Sequence, residues 1–155
     1  MAQSLKSLRI GELRLIRESL FTAPEGYELT SVRSPRDVAR FMAPYAEREV
    51  AEVFWIVCLN AQHRVIGNAP IAITRGTLTS SLVHPRETFR AAIVAGAAAI
   101  ILCHNHPSGD PAPSADDRQI TEQLAAAGRL LDIPVHDHVI CGAGRFTSFA
   151  EVGLL

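Results

Sequence analysis

Seven consecutive apolar residues, Ala97-Ala98-Ala99-Ile100-Ile101-Leu102-Cys103, run straight into the polar stretch His104-Asn105-His106-Pro107-Ser108-Gly109-Asp110. The run is far shorter than the roughly 20 residues that a membrane helix needs. It is also too uniformly apolar for a strand with one wet face, so it reads as a central strand buried on both faces. Side chains alternate along a strand, so His104 and His106 project to the same side if the extended geometry persists. Ring nitrogens placed that way can both reach one metal ion.

Pro107, Gly109, Pro111 and Pro113 then forbid regular structure, and the chain must loop away. Order resumes at Ser114, a helix N-cap, with Asp117 three residues on as in a capping box. The helix that follows, expected from Ala115 to about Leu130, carries an apolar stripe at Ile120, Leu124, Ala127 and Leu131. Asp117 lies one turn earlier on that stripe and should point inward. An inward carboxylate beside two histidines is costly unless something positive accompanies it. A divalent metal held by His104, His106 and Asp117 removes that cost. Two nitrogens, one oxygen and an open fourth position are what a catalytic zinc site needs. Asp116 falls off the stripe, and Asp110 is separated from the helix by two prolines, so neither suits the third position.

A catalytic zinc needs a base for its bound water, and a carboxylate is the usual choice. Glu47, Glu49 and Glu52 all precede the strong strand Val53-Phe54-Trp55-Ile56-Val57-Cys58-Leu59. Spacing alone leaves these glutamates open between a base and an ordinary solvated charge run. The zinc deaminases need H-x-E followed by P-C-x-x-C; here the third residue is His106 and no C-x-x-C pair occurs, so that chemistry fails on ligands.

The pattern H-x-H, seven residues, S, two residues, D resembles that of the JAMM (MPN-plus) metal-dependent hydrolases. The wording H-N-H-P-S-G-D-P-x-P-S-x-x-D is similar to their bacterial RadC-like branch. The likeness runs from about Ser34 to Leu155. It takes in Glu52-Val53-Phe54, Arg75-Gly76-Thr77-Leu78, Val83-His84-Pro85-Arg86-Glu87, Asp137-His138-Val139-Ile140 and Ser148-Phe149-Ala150-Glu151. The resemblance implies a cytidine-deaminase-like core, one Zn2+ per chain, and hydrolysis of a peptide or isopeptide amide bond. It selects Glu52 as general base and later acid toward the leaving amine, and gives the Ser114 hydroxyl a part in holding the oxyanion. Two other functions stand as alternatives: a DNA repair or processing accessory, as the RadC name suggests, and a metal-binding interaction module without turnover. The chain resembles a short form, with little of the N-terminal helix-hairpin-helix segment of longer relatives, and Asn68-Ala69-Pro70 departs from their usual residues.

With 155 residues the chain suits one domain with a sizeable core. A net charge of -1 gives no general pull toward nucleic acid, although Arg75, Arg86 and Arg90 could form a local patch. Cys58, Cys103 and Cys141 are dispersed and odd in number, as expected of reduced core thiols in a cytoplasmic protein. No membrane span and no signal peptide are expected. A protein or peptide substrate is the expected partner, and a homo-oligomer is compatible with the sequence.

Residues 1–32 are expected to form a helical extension and linker, and residues 33–155 the catalytic domain. Within the latter, Ser34-Pro35 opens a helix to about Tyr45, and a second strand is expected from Arg64, with Pro70 marking an edge or a bulge. Pro85 opens a helix capped near Gly96. A strand from Ile133 to Cys141 and a last short strand from Arg145 to Phe149 follow. Strands alternating with helices predict a three-layer α/β domain with a mixed sheet. His138 is expected as a hydrogen-bonded core histidine, on one strand face with His136. His84 reads as a helix N-terminal residue and His63 as part of a turn.

Overall fold

The computed structural model describes residues 30–76 and 83–155. The expected helix within residues 4–21 and the linker after it lie outside the described residues.

The described residues build five strands and three α-helices. These are α1 (Pro35–Ala46), β1 (Val53–Leu59), β2 (Ile71–Arg75), α2 (Pro85–Ala95), β3 (Ala99–Asn105), α3 (Ala115–Leu131), β4 (Val135–Gly142) and β5 (Arg145–Ser148). They form one mixed sheet in the order β2-β1-β3-β4-β5, in which β3 is parallel to β4 and the other pairs are antiparallel. The expected mixed three-layer α/β architecture is present.

Alternation along the strands sends two apolar sets to opposite faces. Val53, Trp55, Val57, Ile101, Cys103 and Val139 pack with Val38 and Met42 of α1. Phe54, Ile56, Cys58, Ile100 and Leu102 pack on the other face with Phe89 of α2 and Ile120 and Leu124 of α3. Every residue of β1 and β3 is buried, as a strand covered by helices on both sides requires.

The helices begin where the caps predict. Ser34 accepts the Asp37 N–H ahead of Pro35, His84 accepts the Arg86 N–H through its ring ahead of Pro85, and Ser114 and Asp117 form a reciprocal capping box. Gly96 ends α2 in the left-handed conformation at φ 69°.

Three expectations are corrected. The second strand starts at Ile71, not Arg64, because Gly67 and Asn68 take positive φ in a short 3-10 turn over Ile66–Asn68; Pro70 then immediately precedes the edge strand. The central strand continues two residues past Cys103 and carries His104 and Asn105 itself. The buried face of α3 runs through Asp117, Ile120, Thr121, Leu124, Ala125 and Gly128, so Leu131 drifts to the surface. Gly128 lets the last turns approach closely, since a methyl there would meet the Ile133 carbonyl oxygen at 2.6 Å.

Candidate metal centre

His104 pairs with Phe54 across β1 and β3 and shares its face, toward α3. Glu52 extends the alternation of Phe54 and Ile56 beyond the start of β1 and so points the same way. Asp117 comes from the first turn of α3. Four side chains from three elements therefore converge at one end of the sheet. Each of Glu52, His104, His106 and Asp117 offers one ligand atom, and these atoms all lie within 4.8 Å of one another.

The tightest part of the group is His104, His106 and Asp117. The two Nε2 atoms are 2.9 Å apart, and His104 Nε2 lies 3.1 Å from Asp117 Oδ1. His106 Nε2 is 3.5 Å from Asp117 Oδ2. Glu52 Oε1 stands further off, 3.9 Å from His104 Nε2 and 3.8 Å from His106 Nε2. His104 and Asp117 are almost wholly buried, at 0% and 3% exposure.

This donor set calls for a cation. His106 Nδ1 donates to the Asp110 carbonyl at 2.7 Å, so a neutral His106 ring presents its Nε2 lone pair to the cluster. Two imidazole nitrogens and two carboxylates facing one point repel unless a proton or a metal lies among them. The carboxylate of Asp117 supports a proton on His106, and that bond outweighs burial in raising the ring above its usual pKa. Burial would lift the Asp117 carboxyl, yet its hydrogen bonds with His104, His106 and Ser114 hold it far below the ordinary carboxylate range. A divalent ion fits where that proton sits. Two imidazole nitrogens and a carboxylate oxygen are donors that a divalent metal ion such as zinc accepts.

Ser114 is tied to Asp117 on both sides of the cap. Its N–H and its hydroxyl each donate to Asp117 Oδ2 at 2.7 Å, and its oxygen accepts the Asp117 N–H at 3.1 Å. The carboxylate is thereby fixed with Oδ1 toward His104.

Asp116 and Asp110 both point to solvent. His136 and His138 do not share a face. The β3–β4 register slips between Ile100 and Ile101, so that His136 bulges out and stacks on His63 at 5.2 Å. His138 turns inward, fully buried, with its Nε2 2.8 Å from His104 Nδ1. Arg75 and Arg90 bond separate acids, Glu49 and Glu87. All three cysteines are free thiols, Cys58 and Cys103 buried and Cys141 half-buried.

Sequence reasoning missed two residues. Asn105, between the two histidines, turns to the opposite face and bonds the chain beside Glu52. Thr121, one turn beyond Asp117, bonds His138. Its place beside Ile120 on the buried side of α3 was the available signal. A cleft of about 650 Å³ opens beside His106, between α1 and the β4–β5 turn, with Arg36, Arg40, Glu47 and Arg145 on its walls.

Among families of known proteins, the RadC-like JAB domain matches residues 32–154. A UPF0758 protein of Symbiobacterium thermophilum is 51% identical over 122 residues, covering 79% of this chain and 51% of that protein. A second from Moorella thermoacetica is 48% identical over 126 residues, covering 81% of this chain and 54% of its own. One from Methanosarcina barkeri is 40% identical over 124 residues, covering 80% and 53%. The chain spans about half the length of these curated relatives.

Proposed function

The chain belongs to the RadC-like JAB domain family, and from that premise we propose that it is a zinc-dependent hydrolase of peptide or isopeptide amide bonds. The observation that carries the reading is the convergence of Glu52 on the His104, His106 and Asp117 group. Those three would hold the metal. When bound, zinc supplies a Lewis acid and makes water a nucleophile near neutral pH.

Glu52 Oε1 stands 3.9 and 3.8 Å from the two Nε2 atoms, beyond direct hydrogen bonding but within reach of a water held at the cluster, where a general base belongs. It takes a proton from the attacking water as the oxygen–carbon bond forms, then delivers that proton to the leaving nitrogen as the carbon–nitrogen bond breaks. Asp117, locked by the Ser114 cap, keeps its carboxylate charged throughout. The Ser114 hydroxyl donates to Asp117 in this conformation, so holding a substrate oxyanion would require it to exchange that bond. The cleft between α1 and the β4–β5 turn reaches His106 at its edge and would receive part of a substrate chain there. A cytoplasmic setting agrees with free thiols and with the absence, among the described residues, of any helix long and apolar enough to cross a membrane.

The test is Glu52→Gln, assayed against peptide and isopeptide libraries with zinc content measured alongside. Zinc should remain bound while turnover falls by about 10²–10⁴-fold, the usual worth of a general acid–base group. A Glu52→Gln protein as active as wild type would remove Glu52 from the mechanism.

A further inference from the structure

We propose that His138 and Thr121 are positioning residues that set which nitrogen of His104 faces the metal, through a one-way chain of hydrogen bonds running away from the site. The inference rests on the metal-binding reading above and concerns residues outside the ligand set.

The direction of the chain follows from its far end. Thr121 Oγ1 lies 2.5 Å from the Asp117 backbone carbonyl, which can only accept, so the single hydroxyl hydrogen is committed there. The same oxygen lies 2.6 Å from His138 Nδ1 and must therefore accept from it. His138 is fully buried between Phe54 and Phe149, with ring centroids 5.6 and 4.7 Å away. Such a place disfavours a charged ring. A neutral His138 with its hydrogen on Nδ1 carries a lone pair on Nε2. That lone pair is 2.8 Å from His104 Nδ1, which must donate to it. In this arrangement the hydrogen-bond chain places a hydrogen on His104 Nδ1, and Nε2 is the atom left to bind a metal.

His106 reaches the same result with simpler means, through its Nδ1 bond to the Asp110 carbonyl. His104, wholly buried, is paired with a buried histidine instead. The chain returns to the helix that carries Asp117, so two members of the ligand set are braced by one network. No buried side-chain nitrogen or oxygen among the described residues lacks a partner, the members of this network included. Without His138, the His104 hydrogen would be better placed on Nε2, where Asp117 Oδ1 can accept it at 3.1 Å. That tautomer cannot ligate a metal through Nε2.

The test has two parts. The ring nitrogens of His138 are first read by 15N NMR in zinc-free and zinc-loaded protein. The hydrogen should be on Nδ1 in both, and a hydrogen found on Nε2 would overturn the proposal. This part needs no metal, so it stands even if zinc never binds and the hydrolase reading fails. Zinc affinity is then measured by chelator competition for wild type, His138→Leu and His138→Gln. His138→Leu should lose about 10–100-fold, the usual worth of a group that orients a metal-binding histidine. His138→Gln, whose amide oxygen can accept from His104, should recover much of it. A folded His138→Leu that binds zinc like wild type would sink the idea. Should that variant fail to fold, the near-isosteric Thr121→Val takes its place. It should weaken zinc binding and free the His138 tautomer, and an unchanged tautomer with unchanged affinity would count against the chain.

Discussion

The carboxamide of Asn105 grips the backbone on both sides of Glu52. Its oxygen accepts the Val53 N–H at 2.8 Å, and its nitrogen donates to the Ala51 carbonyl at 3.0 Å. The residue between the two histidines thus fixes the approach of the carboxylate that faces them.

Asn105→Ala should separate metal binding from catalysis. It leaves the Val53 N–H buried without its partner, at a cost of about 1–3 kcal/mol, which denaturant unfolding would read. Zinc affinity should hold, because the three proposed ligands are untouched. Turnover should drop by about 10²-fold, the scale of a catalytic group displaced by roughly 1 Å. Unchanged stability and turnover would mean that the clamp does not position Glu52.

Much of this site is legible in the sequence, for reasons that differ residue by residue. Asp117 is readable because two local signals agree on it, the capping box with Ser114 and the buried stripe of α3. His104 and His106 are readable because a uniformly apolar run ends at them. Glu52 is not separable from Glu47 and Glu49 by spacing, since only the pairing of β1 with β3, Phe54 opposite His104, brings it to the two histidines. His138 is legible as a core histidine, but its pairing with His104 needs the parallel β3–β4 register, and the bulge that turns His136 away carries no sequence mark. The misplaced start of β2 has the same origin: Asn68 takes a positive φ that its residue type permits but does not demand.

Gly142 should prove sensitive to a single methyl. A Cβ there would meet the Gly109 carbonyl oxygen at 2.8 Å, and Arg145 donates to that same oxygen at 3.1 Å. The next carbonyl, that of Asp110, orients His106. Gly142→Ala should cost about 1–3 kcal/mol of stability through overpacking and weaken zinc binding as the loop shifts. Wild-type zinc affinity in a folded Gly142→Ala protein would show that the loop tolerates the displacement.

The zinc-free protein should lose stability on both sides of neutrality. His106 has a raised folded pKa, chiefly through Asp117, so its contribution is complete below the unfolded value of about 6.5 and fades as pH rises through the folded one. His138 is depressed by burial and by His104, so its contribution is lost as pH falls below about 6.5. Asp117 adds a further loss in acid, below about pH 4. Zinc bound at this cluster would take the place of the His106 proton, so saturating zinc should abolish the alkaline loss while leaving the acid one. Denaturant midpoints across pH, with chelator and with zinc, check this. Midpoints that do not fall in alkali without metal would contradict it.

The most direct test of the whole account is the zinc content of untagged protein, wild type beside a His104→Ala/His106→Ala variant. Wild-type protein should hold close to one zinc per chain, lost in the variant, with the variant still folded. Wild-type protein that holds no metal even after incubation with zinc would contradict it.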